Sequence, residues 1–249
     1  MNNQNWWDTE PQGAKDNTCV YCGLETSADS ENLEHVIPES LGNTETLYRG
    51  AVCNKCNQRL GENVDSKFFL EPLFAVGQVA TKTPGKKGIR DEIGNHVKRQ
   101  TDESVSLSGN CGVENQYVVS RALAKCAVNI LTKVYGSNIV RNRVSDLISY
   151  VKAPKNKSDV WPFAALYSLN AKITVAFWYK EIVLDDQMVL VVMFSCPSGL
   201  FAIPCDRISI DHSRKLMDLI NADVQEKENE KNENLVNTVE FWAQRNDSC

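Results

Sequence analysis

The sequence predicts an α+β protein. A zinc-stapled N-terminal module of short strands and one helix precedes a helical and antiparallel β-sheet portion. Three observations carry this. Four cysteines stand in two CxxC pairs near the N-terminus. A stretch of helical apolar period follows at 115–138. Then four runs rich in Val, Ile, Phe and Tyr fill 163–204, separated by turn residues.

The elements divide into four parts. Residues 1–17 are polar and lack a signal-peptide core. Residues 18–76 carry the cysteine framework. Residues 77–110 are rich in Gly, Thr, Ser and charge, and read as a basic linker of loops or a weak hairpin. Residues 111–249 form a C-terminal α+β domain. Its first helix repeats Val119, Leu123, Cys126, Ile130 and Val134, with Gly136 as a stop. "NIVRNRVSDLISYV" continues the helical period. Strands are expected at Phe163–Leu169, Lys172–Val183, Met188–Cys196 and Leu200–Pro204, in a meander. A helix follows from about Asp211 to Val224. "QEKENEKNEN" is a solvated helix face or linker. "LVNTVEFWAQ" reads as a last amphipathic helical turn that docks.

Composition bounds the function. With 249 residues, 42% hydrophobic and 24% charged, the chain can bury a sizeable core without help from metal. A net charge of −5 gives no general attraction to nucleic acid, so any basic surface is local. No apolar run is long enough for a membrane span, and no membrane partner is expected. Nine cysteines are an odd number, and CxxC is metal-ligand spacing, so a cytoplasmic location is expected.

Cys19, Cys22, Cys53 and Cys56 place two thiolates on each of two tight turns, which together complete a tetrahedron around zinc. Four sulfurs leave no open position, so this zinc is structural. Cys111, Cys126, Cys196, Cys205 and Cys249 lack such spacing and are given no chemistry.

Between the pairs lies "LEHVIPESLGN", Leu33–Asn43. "LEHVIP" reads as a short strand, which would point Glu34 and His35 to opposite faces unless a bulge re-aims one. "CNKCNQRL" starts a helix with Asn57 in its first turns.

Taken together, "CVYC", "EHVIPESLG" and "VCNKCNQRLG" resemble the zinc-bearing branch of the HNH endonuclease family, over roughly Thr18 to Asp65. The resemblance implies a ββα-metal fold and a metal-dependent endonuclease acting on nucleic acid, with double-stranded DNA as the expected substrate. It makes His35 the general base that activates water. It makes Glu34 and Asn57 the ligands of a catalytic divalent ion, magnesium or another hard cation. A restriction or phage-defence role follows by analogy only.

Two features depart from the family. Glu34 stands where Asp is more usual. The middle asparagine has no counterpart in "LYRG", Leu47–Gly50; Asn43 is a substitute at the wrong spacing, and a backbone carbonyl can instead accept the His35 Nδ1–H bond. Asp65 is a second-tier residue that caps or orients the motif helix.

Phosphate contacts need clustered cations. Arg49, Lys55, Arg59 and Lys67 lie in or beside the motif. Lys86 and Lys87, with Lys82, Arg90, Lys98 and Arg99, form a second cluster. Trp6 and Trp7 either stack on bases or cover a core edge. His96 and His212 are read as structural. The 111–249 portion is expected to package, to form a homo-oligomer or to bind a regulatory partner, and not to carry catalysis. The alternative to a nuclease is a non-catalytic zinc-knuckle module that binds nucleic acid or a protein.

Overall fold

The structure is a computed structural model. It describes residues 16–26, 33–84, 88–94, 97–102, 104–107, 115–153, 158–168, 175–184, 186–209, 212–231 and 238–242. Trp6, Trp7, Lys86, Lys87, His96, Cys111 and Cys249 lie outside the described residues.

The α+β class holds, with the cysteine-bearing segment at the N-terminal end. Thr18 and Glu25 pair in an antiparallel bridge that closes the first CxxC turn. His35 and Thr46 pair in a second bridge, flanked by Val36 N–H to Glu45 O and Leu47 N–H to Glu34 O. The strand expected over 33–38 is therefore a single rung. Val36 and Ile37 are both fully buried. An extended strand would send them to opposite faces, so the chain bends there instead.

Helix α1 (Asn54–Leu60) follows, with Cys53 as its N-cap. A π-helical stretch at Gly61–Asp65 leads into α2 (Ser66–Phe68). Helix α3 (Pro72–Thr81) was not expected. Gly77 masks its signal, and the packing explains that glycine: a Cβ there would collide with Ser198 Oγ. The linker holds a small antiparallel sheet, β1 (Glu92–Ile93), β2 (Val97–Arg99) and β3 (Val105–Leu107), packed on Ala75, Val76 and Val79 of α3.

Helix α4 (Gln116–Tyr135) matches its expected span, and Asn115 caps it by accepting from Val118 N–H. The next helical stretch divides at Val144 into α5 (Ser137–Arg143) and α6 (Ser145–Lys152). The large sheet contains β4 (Ala164–Ser168), β5 (Ala176–Leu184), β6 (Gln187–Cys196), β7 (Gly199–Pro204) and β8 (Thr238–Trp242), in the order β5-β6-β7-β4-β8. Strands β5 to β7 form the expected meander, whereas β4 sits beyond β7. The docking helix expected near the C-terminus is strand β8, paired with β4 from Ala164↔Trp242 to Ser168↔Thr238. Its Thr-Val-Glu-Phe-Trp sequence suits an edge strand better than a helix.

Strand β6 is buried on both faces, which is why it shows no polar alternation. Leu190, Val192 and Phe194 face the main core, while Val189, Val191 and Met193 face Leu216, Met217 and Ile220 of α7 (Ser213–Lys231). The main core also takes Val20, Tyr21, Val36, Ile37, Leu60 and Phe68 from the cysteine-bearing segment, packed with Leu123 and Ile130 of α4. Among the described residues, no helix is long and apolar enough to cross a membrane.

Candidate functional site

The four sulfurs of Cys19, Cys22, Cys53 and Cys56 all lie within 4.8 Å of one another. Zinc–sulfur bonds of about 2.3 Å in a tetrahedron place sulfurs about 3.8 Å apart, and Cys22 Sγ lies 3.7 Å from Cys53 Sγ. Donor set and spacing both fit structural zinc. Backbone geometry shapes each knuckle. Gly23, at φ 77°, donates its N–H to Cys19 O, and Cys56 N–H points at Cys53 Sγ. A hydrogen bond from Cys56 draws the Cys19 thiol well below its ordinary range, and the same bond pushes Cys56 up. Arg141 of α5 braces the first knuckle, donating to Val20 O at 3.1 Å, and a side chain at Gly23 would strike its guanidinium.

A second polar centre lies beside the first. Lys125 of α4 is buried, and its Nζ lies 2.7 Å from Glu34 Oε1 and 2.6 Å from Asp65 Oδ2. Burial opposes the charge on Lys125, but the two carboxylates, Asp65 before Glu34, outweigh it and hold the ammonium above the ordinary lysine value. Asn129, one turn along α4, donates to His35 O at 3.0 Å and to Glu34 Oε1 at 3.3 Å. It accepts from Tyr21 Oη at 2.7 Å. Tyr21 keeps its proton, because burial, and then the charges of Glu34 and Asp65, raise its pKa.

A cavity of about 560 Å³ opens against this centre. Glu34, His35, Asn57, Asp65, Gln78 and Arg90 all line it. Glu34 and His35 therefore both reach this cavity, although they are consecutive in the chain. His35 Nε2 lies 3.8 Å from Glu39 Oε2. Its Nδ1 is buried with no hydrogen-bond partner among the described residues, so the expected backbone acceptor is not there. Gln78 is 6% exposed, and its Nε2 likewise has no partner.

Asn43 fixes the loop. Buried, it donates to Ile37 O and Glu45 O, both at 2.8 Å, and accepts from Glu45 N–H. It therefore ties the ends of the loop after His35 from an unexpected sequence position.

The basic residues diverge. Arg49 and Lys55 are exposed. Arg59 donates to Lys152 O at 2.7 Å, which closes the end of α6. Arg99 pairs with Asp91. His212 begins the turn into α7, far in sequence from the motif.

Sequence reasoning missed Lys125 and Asn129. A signal existed: two polar residues spaced i, i+4 inside "ALAKCAVNIL", on a helix whose neighbouring positions are almost all buried. A lysine enclosed that way needs an anion, but the sequence does not name it.

Residues 19–72, roughly a fifth of the chain, match the family model described as HNH endonuclease. No curated protein and no solved structure matches the chain. A nuclease-family domain with a zinc-fitting cysteine cluster thus occupies the N-terminal part.

Proposed function

We propose that the chain is a metal-dependent endonuclease that hydrolyses phosphodiester bonds in nucleic acid, with double-stranded DNA as substrate. The single observation that carries this reading is the shared cavity. His35 and Glu34 are neighbours in sequence, Asn57 joins them only in the fold, and all three line it within the segment that matches the nuclease family.

His35 serves as general base. Its Nδ1 is buried, so Nε2 is the nitrogen that takes a proton from water. Glu34 and Asn57 supply hard oxygen donors for a divalent cation, magnesium or a similar ion. When bound, such an ion supplies charge stabilisation at the phosphate and the leaving oxygen. Asn129 holds the main chain of His35, and Asn43 holds the loop beyond it, so the base keeps its place without the family's middle asparagine. The cysteine cluster fixes the start of α1 and with it Asn57. Arg49 and Lys55, exposed beside the motif, contact backbone phosphates, as do Lys86 and Lys87.

One observation favours the second reading, a non-cleaving nucleic-acid or protein-binding knuckle. Glu34 is already ion-paired to Lys125, an arrangement that serves stability alone equally well. A plasmid-nicking assay across magnesium, manganese and calcium separates the two. The parent protein nicks with magnesium or manganese. His35→Ala keeps one zinc per chain and the parent melting profile, and loses at least about a hundredfold in rate. Cleavage by His35→Ala at the parent's rate moves the base elsewhere, and release of zinc makes the histidine a structural ligand.

A further inference from the structure

We infer that Lys125 is a positioning residue of the site: from α4 it holds Glu34 and Asp65 by one oxygen each and turns the other oxygen of each toward a single divalent cation in the cavity. This rests on the nuclease reading for what the cation does, and on the geometry alone for where it binds.

The contacts are one-sided. Both side-chain contacts of Glu34, from Lys125 Nζ and Asn129 Nδ2, fall on Oε1. The contact of Asp65 with Lys125 falls on Oδ2, while Oδ1 is buried with no hydrogen-bond partner among the described residues. A buried carboxylate oxygen without a donor is costly and marks a place made for another ligand. Both residues line the cavity.

Charge points the same way. One ammonium faces two carboxylates, which leaves one net negative charge at a site where the lysine side chain is 1% exposed. Of the other charged residues that line the cavity, Glu39 and Glu62 are acidic and Arg90 is basic, so they do not cancel that charge. Gln78, nine-tenths buried, lines the same cavity, and its amide nitrogen has no partner among the described residues, a donor suited to an oxygen held beside the ion. Lysine suits the role because its charge is compact and fits between two carboxylates, whereas arginine's planar fork demands a different spacing.

Sequence position gives the inference its consequence. Lys125 belongs to the portion expected to package or regulate, outside residues 19–72 that match the nuclease family. Any shift of α4 would move Glu34, Asp65 and the His35 main chain together, through Lys125 and Asn129.

The test uses the full-length, zinc-loaded protein and titrates manganese by calorimetry alongside nicking. The parent binds one manganese ion in addition to zinc, and Glu34→Gln with Asp65→Asn abolishes that binding. Lys125→Met keeps its zinc and binds manganese more tightly, since the ion then faces two uncompensated carboxylates. At saturating manganese it nicks at least about tenfold more slowly, because the oxygens are no longer held in place. Lys125→Arg restores part of the rate. Equal rates for Lys125→Met and parent at saturating manganese overturn the inference, as does manganese binding that ignores Glu34 and Asp65. Should Lys125→Met not fold, Lys125→Arg carries the test, and a folded Arg variant with parental rate and affinity overturns it. A parent that binds manganese through both acids yet never nicks defeats the nuclease reading; the affinity of Lys125→Met then decides the inference alone.

Discussion

The cysteine cluster and the Glu34–Lys125–Asp65 centre are neighbours built on opposite plans. The cluster takes its four sulfurs from two short turns, each local in sequence, and brings them close enough for one metal to join them. The second centre takes one residue each from the bridged segment, the end of the π-helical stretch and the middle of α4, with no local motif at all. The first is closed, since four thiolates fill a tetrahedron. The second is open, with one buried oxygen that lacks a partner among the described residues and a cavity that Asp65 lines. A closed site serves shape, and an open site leaves room for chemistry. The difference also sorts what each centre is built from: the cluster from two local turns suited to zinc, and the second centre from a contact with α4.

The largest expected effect lies on the closed side. Cys53→Ser removes both a sulfur ligand and the N-cap of α1. Structural zinc contributes on the order of 10 kcal/mol in small zinc-dependent folds. We expect loss of zinc and of cooperative melting in the N-terminal segment, read by metal content and by thermal scans with and without chelator.

Next comes dependence on the C-terminal helices. A fragment of residues 1–110 lacks Lys125, Asn129, Arg141 and the α4 face of the shared core. It is expected not to fold, even with zinc present. A folded, zinc-loaded fragment that nicks like the whole protein would return the C-terminal portion to packaging or regulation alone, and would break the comparison.

Asn43→Ala tests the open side without touching either charged centre. It removes a buried side chain that makes three hydrogen bonds. The expected cost is about 1–3 kcal/mol of stability, measured by denaturant melts. Zinc content should be unchanged and nicking slower, as the His35 loop loosens.

The smallest effect concerns nucleic-acid affinity. Arg49→Ala with Lys55→Ala should lower the log–log salt slope of duplex binding by roughly 0.9 per lost phosphate contact. Arg59→Ala should leave the slope unchanged and lower stability, because its guanidinium is bonded to the α6 terminus. Equal slopes for all three proteins would place the nucleic-acid surface elsewhere.

By itself the sequence determined what depends on nearest neighbours along the chain. CxxC spacing sets two thiolates on one turn, and the apolar repeat from Val119 to Val134 sets a helix, whatever the rest of the protein does. β-branched and aromatic runs likewise announced β5, β6 and β7. Tertiary structure decided everything that needs a partner from afar. Strand β8 became a strand because β4 offered an edge to pair with. Helix α3 could carry Gly77 because the β6–β7 turn presses against it. The bend at 36–37 goes with the burial of both Val36 and Ile37 in the core, which an extended strand would send to opposite faces. Lys125 shows the reason most plainly. Local propensity says only that a lysine fits a helix, but enclosing its charge in a low-dielectric core requires carboxylates, and which ones is fixed by how α4 packs, not by the order of residues.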